Sequence, residues 1–546
     1  MRHTTTTTDV LVAGAGPAGL ATAISALRHG ARVLVVERRA DTSSIPRATG
    51  VSTHTMEIFR GWGLDGAIRA GAVDADPRVA VARTLSDDAP LMYPFSYPTA
   101  REALAVSPAY PAICPQDHVE PVLAAEVRRL GGEIRFRTTL IGLHTSDDGV
   151  RADLGEGGDV RARFVVGADG PRSIVRTALG IPNSHLGTLG EFVQVLFRAD
   201  IAARLGRRPP GIAFLSHPDG SGVLLPVGFG RWAFAHAYAP ARGESPADYT
   251  PQRWRALIRA ATAMPDLEIE LLGALPFTMA AERAARFRRG PGFLVGDAAH
   301  RMTPVAGIGM NTAIHDGHEL GWKLAWVVRG LAGDPLLDGW AAEREPVGEA
   351  NARRSLLRDE PHPSDGLPAD LGRTYRSPVI AAPDENAPAF RRDRAARPGE
   401  RAPHVWVRRA GERTSTLDVF SDRLTLLVGA EGVGWARAAG RAGTDRRAWD
   451  WARAAADVGA PPLAGSASTG WAPVPLQVVV AGRDVVDRRG RLAQAYRLGG
   501  ESAVLVRPDG IVAWRHDGPC ADRRSALAFA VDTALGRAAA VSAVAV

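Results

Sequence analysis

Residues Asp9 to Arg39 read DVLVAGAGPAGLATAISALRHGARVLVVERR, and few folds accept residue types in that order. Asp9 to Ala13 is a short β-branched apolar run suited to a buried strand. Gly14-Ala15-Gly16-Pro17-Ala18-Gly19 follows at once, and an Ala/Leu/Ile pattern of helical period continues to about His29. A second apolar run, Arg32 to Val36, ends in Glu37, eighteen residues past Gly19. Together these make a strand, a glycine turn, a helix and a second strand, and each glycine has a mechanical task. Gly14 permits the tight turn, Gly16 lets the backbone approach a pyrophosphate, and Gly19 lets the helix pack closely on the strand. The helix start, Pro17 and Ala18, faces the phosphates. Glu37, at the tip of the second strand, is placed to accept hydrogen bonds from ribose hydroxyls. The unit predicts a parallel α/β sheet that binds a dinucleotide. A purely structural βαβ unit is the alternative, and the terminal acid argues against it.

Length and composition restrict what surrounds this unit. A chain of 546 residues exceeds one ordinary core, so two or three domains are expected. Cys114 and Cys520 are the only cysteines and lack C-x-x-C spacing, which predicts no disulfide framework, no metal site and no dithiol redox pair. A reducing cytoplasm fits that usage. The opening MRHTTTTTDV has no apolar core for export, and no uncharged apolar run is long enough to span a bilayer, so no membrane partner is expected. The net charge of +7 is spread along the chain rather than clustered with aromatics, so nucleic acid is not expected either. Lys323 is the sole lysine, which removes most lysine-dependent chemistry.

Further along, Ser43 to Met56 is a loop running into a helix. Its Arg47 is placed to reach a phosphate or a flat ring, or else is an ordinary surface arginine. Gln116 stands at the mouth of a helix that Gly131-Gly132 stops; it either hydrogen-bonds a ligand or satisfies a turn. Arg161 to Arg176, RARFVVGADGPRSIVR, gives a second strand and turn, Gly167-Ala168-Asp169-Gly170, with Ser173 and Arg176 on a starting helix. Phe293 to Pro304, FLVGDAAHRMTP, repeats that logic around Gly296 and Asp297. Asp297 is an N-cap or a ligand for sugar-alcohol hydroxyls. It leads to Gly309, Met310 and Asn311 at the head of a helix from about Thr312 to Val328, whose backbone N–H groups would meet negative charge.

These three motifs, in this order, resemble the flavin-dependent aromatic hydroxylases, the class A monooxygenases typified by para-hydroxybenzoate and phenol hydroxylases. The resemblance runs from Asp9 to about Asn351, with Thr303-Pro304-Val305 where the family usually has two prolines and Glu319 near its frequent asparagine. It implies FAD, with Glu37 on the adenosine ribose, Asp297 on the ribityl chain, and Arg38, Arg47 and Gln116 near the cofactor. Asp169 and Arg176 would serve both FAD and a passing NAD(P)H, and Gly309-Met310-Asn311 would set backbone donors at the pyrimidine edge of the flavin. Oxygen bound to reduced flavin as a C4a-hydroperoxide would be the oxidant.

Between the second and third motifs, EFVQVLFRAD, GIAFLSH, GVLLPVG and RWAFAHAY alternate strictly, which predicts a sheet. In the last run Trp232, Phe234, His236 and Tyr238 share one face and Ala233, Ala235 and Ala237 the other. The aromatic face suits a flat substrate under a flavin, with His236 or Tyr238 as candidates to deprotonate a phenol; packing of that face against a helix is the equal alternative. The expected organisation is a Rossmann-like FAD-binding domain (1–80, 101–185 and 285–395), an inserted β-sheet substrate domain (81–100 and 186–284), and a C-terminal domain (400–546). That last unit, with helices near Trp435 and Trp449 and a hairpin around Arg507-Pro508-Asp509-Gly510, resembles the thioredoxin-like extension of phenol hydroxylase and the aromatic-polyketide oxygenases. A polycyclic aromatic substrate with O2 is therefore expected, in a monomer or homodimer. A Baeyer–Villiger or epoxidising oxygenase on the same scaffold, and a protein that only holds FAD or a ligand, are the alternatives.

Overall fold

The computed structural model describes residues 5–93, 97–357, 366–381, 396–439 and 474–537. The helix expected near Trp449 lies outside them. The strands Thr6–Ala13, Val33–Val36 and Glu133–Arg135 run parallel on one side of a sheet, and Asp159–Gly167 and Gly292–Leu294 continue it in parallel on the other. All five therefore end at the same edge, where an open α/β sheet binds its ligand. The first strand is fully buried from Val10 to Ala13, as an apolar run at the centre of the sheet requires.

Two helices lie against each other over this sheet, Pro17–Arg28 and Gly309–Val328. Their contact is close because small residues face each other: a Cβ at Gly317 would meet the Ala18 carbonyl oxygen at 2.5 Å, and one at Gly321 would meet the Ser25 Cβ at 2.5 Å. The third motif and the first are thereby clamped together by helix packing, although nearly 300 residues separate them.

The second sheet has eight strands in the order His300–Arg301, Glu270–Ala284, Asn183–Arg198, Arg231–Tyr238, Gly222–Pro226, Pro210–Leu215, Asp76–Ala82 and Leu91–Tyr93. The alternating runs form its centre in antiparallel register, with Val195 opposite Phe234 and Gln194 opposite Ala235. The Pro251–Thr262 helix covers one face, inserting Trp254, Leu257, Ile258 and Ala261 among Val193, Val195, Phe197, Trp232 and Phe234.

The C-terminal unit is a four-stranded mixed sheet in the order Leu476–Val480, Leu424–Val428, Ala503–Val506, Val512–His516, flanked by the Val433–Ala438 and Arg523–Ala534 helices, a thioredoxin-like arrangement. Both cysteines are free, and Cys114 lies outside this unit, just after the Ala112–Ile113 strand of the first domain. The hairpin at Arg507 to Gly510 reaches into the first domain. There Arg507 and Asp509 join Lys323 and Glu343 in a cluster with no exposed side-chain surface, with Arg507 Nη1 to Glu343 Oε1 at 2.7 Å and Lys323 Nζ to Glu343 Oε2 at 2.9 Å. Burial acts to raise the Glu343 carboxyl, but the Arg507 and Lys323 charges outweigh it and hold the group far below the usual carboxylate range.

Candidate cofactor and substrate site

The three motif turns stand side by side. Ala168 N–H donates to the Ala13 carbonyl at 2.8 Å, and Val295 N–H donates to the Gly167 carbonyl at 3.0 Å, so each turn is fastened to its neighbour. Gly14 has φ +109°, and a Cβ there would lie 2.3 Å from the Ala168 carbonyl oxygen, so only glycine lets the first and second turns approach this closely. Gly19 is equally crowded, with the Gly14 oxygen 2.0 Å from a notional Cβ. Gly16 differs from both: a Cβ there would meet no protein atom within 4 Å. The residue whose expected task is to admit a phosphate is the one facing open space, at the N-terminus of a helix that starts with Pro17 and has no side-chain cap.

Glu37 is nearly buried, and its two oxygens accept from Ala15 N–H at 3.0 Å and Arg39 N–H at 2.9 Å. The acid thus closes the glycine turn and stays at its rim. Arg38 beside it is exposed. Asp297 sits at the apex of the third turn with open surface, and no protein group among the described residues donates a hydrogen bond to it. Protein nonetheless crowds it: burial pushes its carboxyl above the usual range, against the pull of the His300, Arg47 and Arg301 charges. A carboxylate that is crowded yet open belongs to the wall of a cleft. Arg47 faces the same place, its charge felt by Asp297 and by Glu120.

The third turn is held from behind by a group that sequence reasoning passed over. Asp316 is fully buried, and its Oδ2 accepts from Gly296 N–H at 3.1 Å and pairs with His300 Nε2 at 2.6 Å, while Oδ1 takes Arg344 Nε at 2.9 Å and Nη2 at 2.8 Å. Burial would raise this carboxyl, but the His300 and Arg344 charges and bonds win and hold it low. One carboxylate therefore closes both ends of the turn that presents Asp297. Spacing of Asp316 on the helix gave no sign of this, because its partners lie 16 to 28 residues away.

At the head of the Gly309–Val328 helix, Met310 and Asn311 are buried, and the first-turn N–H groups of Gly309, Met310 and Asn311 find no acceptor among the described residues. The Asn311 side chain has a different job: it accepts from Ser52 N–H and Thr55 Oγ1, both at 2.8 Å, and donates to the Gly50 carbonyl at 3.0 Å and the Tyr97 hydroxyl at 2.9 Å. It ties the helix head to the Gly50–Val51 strand and the following helix.

Two groups of candidate residues make protein contacts. The Asp169 carboxylate is engaged within the protein: it accepts from Ser173 Oγ at 2.5 Å and from Ile174 and Val175 N–H at 2.7 and 3.2 Å, capping the short Ile174–Ala178 helix. Arg176 likewise braces the site, donating to the Ala298 carbonyl at 3.0 Å. The aromatic stripe, expected as a substrate face or as a surface packed on a helix, takes the second role. Trp232 and Phe234 lie buried under the Pro251–Thr262 helix, Trp232 Nε1 donates to the Ala199 carbonyl at 3.2 Å, and Phe234 packs edge-on to Trp254. His236 Nδ1 bonds the Ser221 carbonyl at 2.5 Å, and both His236 and Tyr238 pack near Tyr249. That helix needed an apolar partner and took the aromatic face. The opposite face carries Gln194, Ala233, Ala235 and Ala237 with the stacked pair Phe192 and Phe277. It looks toward the first domain: Gln194 Nε2 donates to the Pro46 carbonyl at 3.4 Å, next to Arg47, and Arg231 Nη1 pairs with Asp117 Oδ2 at 2.7 Å.

The donor set, an acid at the rim, a free acid on the cleft wall, open space at Gly16 and unused N–H groups at a helix head, fits a flavin dinucleotide. Residues 7–355 match the family described as "FAD binding domain", and residues 395–538 the one described as "Aromatic-ring hydroxylase, C-terminal". The chain belongs to the FAD-dependent aromatic-ring hydroxylases. This hydroxylase is 42% identical over 458 residues to aklavinone 12-hydroxylase of Streptomyces peucetius subsp. caesius, covering 80% of its own chain and 94% of the relative. It is 34% identical to tetracenomycin A2 monooxygenase-dioxygenase of Streptomyces glaucescens, with 97% of each chain covered. Among solved structures it resembles a ternary complex of aklavinone-11 hydroxylase with FAD and aklavinone, at 36% identity and TM-score 0.85 over 97% of this chain and 99% of that one. None of its described helices is long and apolar enough to cross a membrane.

Proposed function

We propose that this hydroxylase adds one oxygen atom to a polycyclic phenol of the aromatic-polyketide type, with FAD resident, NAD(P)H as a transient electron donor and O2 as the oxidant, acting as a monomer or homodimer in the cytoplasm. The observation that carries this reading is the sheet face of Ala233, Ala235 and Ala237. Ala235 and Ala237 lie beside Gln194 on a floor of small side chains that looks toward the loop of Arg47, with Ala237 exposed at its outer end and Ala233 packed beneath Leu196 and Val227, and small side chains there leave room for a flat, wide molecule. The relatives above carry aklavinone and tetracenomycin A2 in their names, and polyketide hydroxylases are among this chain's other relatives.

When bound and reduced, FAD supplies the oxygen-activating chemistry. The chain's own residues do the rest. Glu37 and Asp297 would accept hydrogen bonds from hydroxyls of the cofactor's ribose and ribityl chain and so anchor it at two places. The N–H groups at the head of the Gly309–Val328 helix would stabilise negative charge on a flavin ring bound there. Arg47 brings a cation to the same cleft, and the alanine floor excludes water and orients the phenol. His236 and Tyr238 lie on the far side of the sheet from this floor and have no part in deprotonation.

The test is turnover under 18O2 with the FAD-loaded protein, NAD(P)H and a tetracyclic phenol such as aklavinone. The expected outcome is substrate-stimulated NAD(P)H oxidation and a product carrying one 18O atom, with NMR locating it as a new ring hydroxyl. NAD(P)H oxidation that ignores every phenol and yields only hydrogen peroxide overturns the reading, and a lactone or epoxide in the NMR spectrum replaces it with the corresponding oxygenase.

A further inference from the structure

Glu120 lies one turn into the Gln116–Arg129 helix and is 1% exposed. Its Oε2 accepts from Ser43 N–H at 2.7 Å and its Oε1 accepts from Gln116 Nε2 at 2.6 Å. A buried carboxylate is costly unless each oxygen is satisfied, and here each has one short bond from a separate donor. Burial pushes the Glu120 carboxyl upward, while Gln116, Ser43 and the Arg39 and Arg47 charges pull against it. The carboxylate therefore spans two segments that meet only in the fold: the start of the loop that carries Arg47, and the helix mouth that carries Gln116.

Both segments are otherwise committed. Ser43 Oγ donates to the Ile45 carbonyl at 2.9 Å, so fixing Ser43 fixes the turn into Pro46 and Arg47. Pro46 accepts the Gln194 amide from the substrate sheet, and Asp117, next to Gln116, holds Arg231 of that sheet through a pair with little exposed surface. The amide of Gln116 has one nitrogen and one oxygen. Because one N–H of the nitrogen is held by Glu120, the amide is oriented with its oxygen turned away from Glu120, where it can meet a ligand.

We propose that Glu120 is a positioning residue for FAD: it sets the spacing between Arg47 and Gln116 and the orientation of the Gln116 amide, without touching the cofactor itself. The proposal rests on the reading that Arg47 and Gln116 contact FAD. E120Q is the instructive change, because it offers one acceptor and one donor to two facing donors, so either one of the two bonds breaks or the Gln116 amide turns over and loses its orientation. Aspartate keeps both acceptors and the charge but is one methylene short of spanning both segments.

The experiment titrates FAD into the full-length apoprotein and follows quenching of flavin fluorescence, with circular dichroism and the thermal midpoint of the apoprotein recorded for each variant. Expected are a rise in Kd of about tenfold or more for E120Q, a smaller rise for E120D, and apoprotein midpoints like that of the parent. E126Q, which removes a buried carboxylate of the same helix whose ion-pair partner among the described residues is Arg129, leaves FAD affinity unchanged. In a double-mutant cycle E120Q adds little to R47A, because its effect passes through the Arg47 loop. Parent-like affinity in both E120Q and E120D, or full additivity with R47A and with Q116A, overturns the positioning role. Parent-like affinity in R47A and Q116A themselves overturns the cofactor contacts beneath it.

Discussion

Ala235 and His236 are neighbours on one strand, point to opposite sides of the sheet, and carry opposite expectations. Ala235 pairs with Gln194 on the face toward the Arg47 loop, so a larger side chain there intrudes on the proposed substrate floor. A235L is expected to raise KM for a tetracyclic phenol by roughly tenfold, the scale of a few misplaced methylenes, while the Kd for FAD stays at the parent value. H236A is expected to leave both constants within about twofold and to lower stability by about 1 kcal/mol, the loss of one hydrogen bond to the Ser221 carbonyl. Steady-state kinetics beside an FAD titration checks the pair, and the reverse pattern would put the substrate on the aromatic side. The sequence showed the parity of this strand but not its sides. Strict alternation separates Trp232, Phe234, His236 and Tyr238 from the alanines, and nothing local says which face a helix will claim. A hint was present in Trp254, Leu257, Ile258 and Ala261, an apolar helical stripe just downstream that needed a partner.

At the scale of elements, the glycine turn separates folding from binding. Gly19 to alanine places a Cβ 2.0 Å from a backbone oxygen, and neither strand nor helix can yield without parting. G19A is expected to lose stability at or beyond the upper end of the ~1–3 kcal/mol usual for overpacking, and to lose FAD with it. Gly16 has φ −82° and open space around it, so G16A is expected to keep the apoprotein's denaturation midpoint and to lose FAD affinity by tenfold or more, since its methyl group occupies the path of a phosphate. Urea unfolding of the apoproteins, compared with FAD titration, separates the two effects; equal losses of stability would remove the distinction. These turns were legible because each is contiguous in sequence, and geometry demands glycine at its own position. Glu120 and Asp316 were not legible, because an acid that fastens a remote loop looks in sequence like any other acid on a helix.

On the scale of the whole molecule, buried polar groups stitch the domains together. Glu343 and Arg344 are adjacent on one helix and look opposite ways, Glu343 to Lys323 and Arg507 of the C-terminal hairpin, Arg344 to Asp316 and Glu319 beneath the third motif. Such partners lie up to 164 residues apart, which is why the domain order could be read from the sequence but not the joint between domains. Histidines at this joint give it a pH dependence. Burial depresses His54 and His315 well below their ordinary range, with Arg and His neighbours adding to the effect, and holds His318 at about 4. Between the ordinary value near 6.5 and the depressed one, the unfolded chain binds protons that the native chain refuses, so stability is complete above about pH 6.5 and declines as pH falls toward 4. The raised carboxyls of Asp297, Glu120, Glu319 and Asp370 act in the opposite sense over part of that range, so the informative quantity is a difference. H318Q is expected to flatten the acid slope, recovering roughly 1–2 kcal/mol relative to the parent between pH 7 and pH 5 in thermal or urea unfolding.

All of this depends on three turns from distant parts of the chain forming the wall of one flavin site. The most direct measurement is a titration of the purified apoprotein with FAD, read by quenching of flavin fluorescence and by the visible absorption bands of the bound ring. One equivalent of FAD per chain, lost in D297A and in G16A while both apoproteins stay folded, is the predicted result. A folded chain that leaves added FAD fully fluorescent, or binds it equally well without Asp297 and with a methyl group at Gly16, contradicts the account.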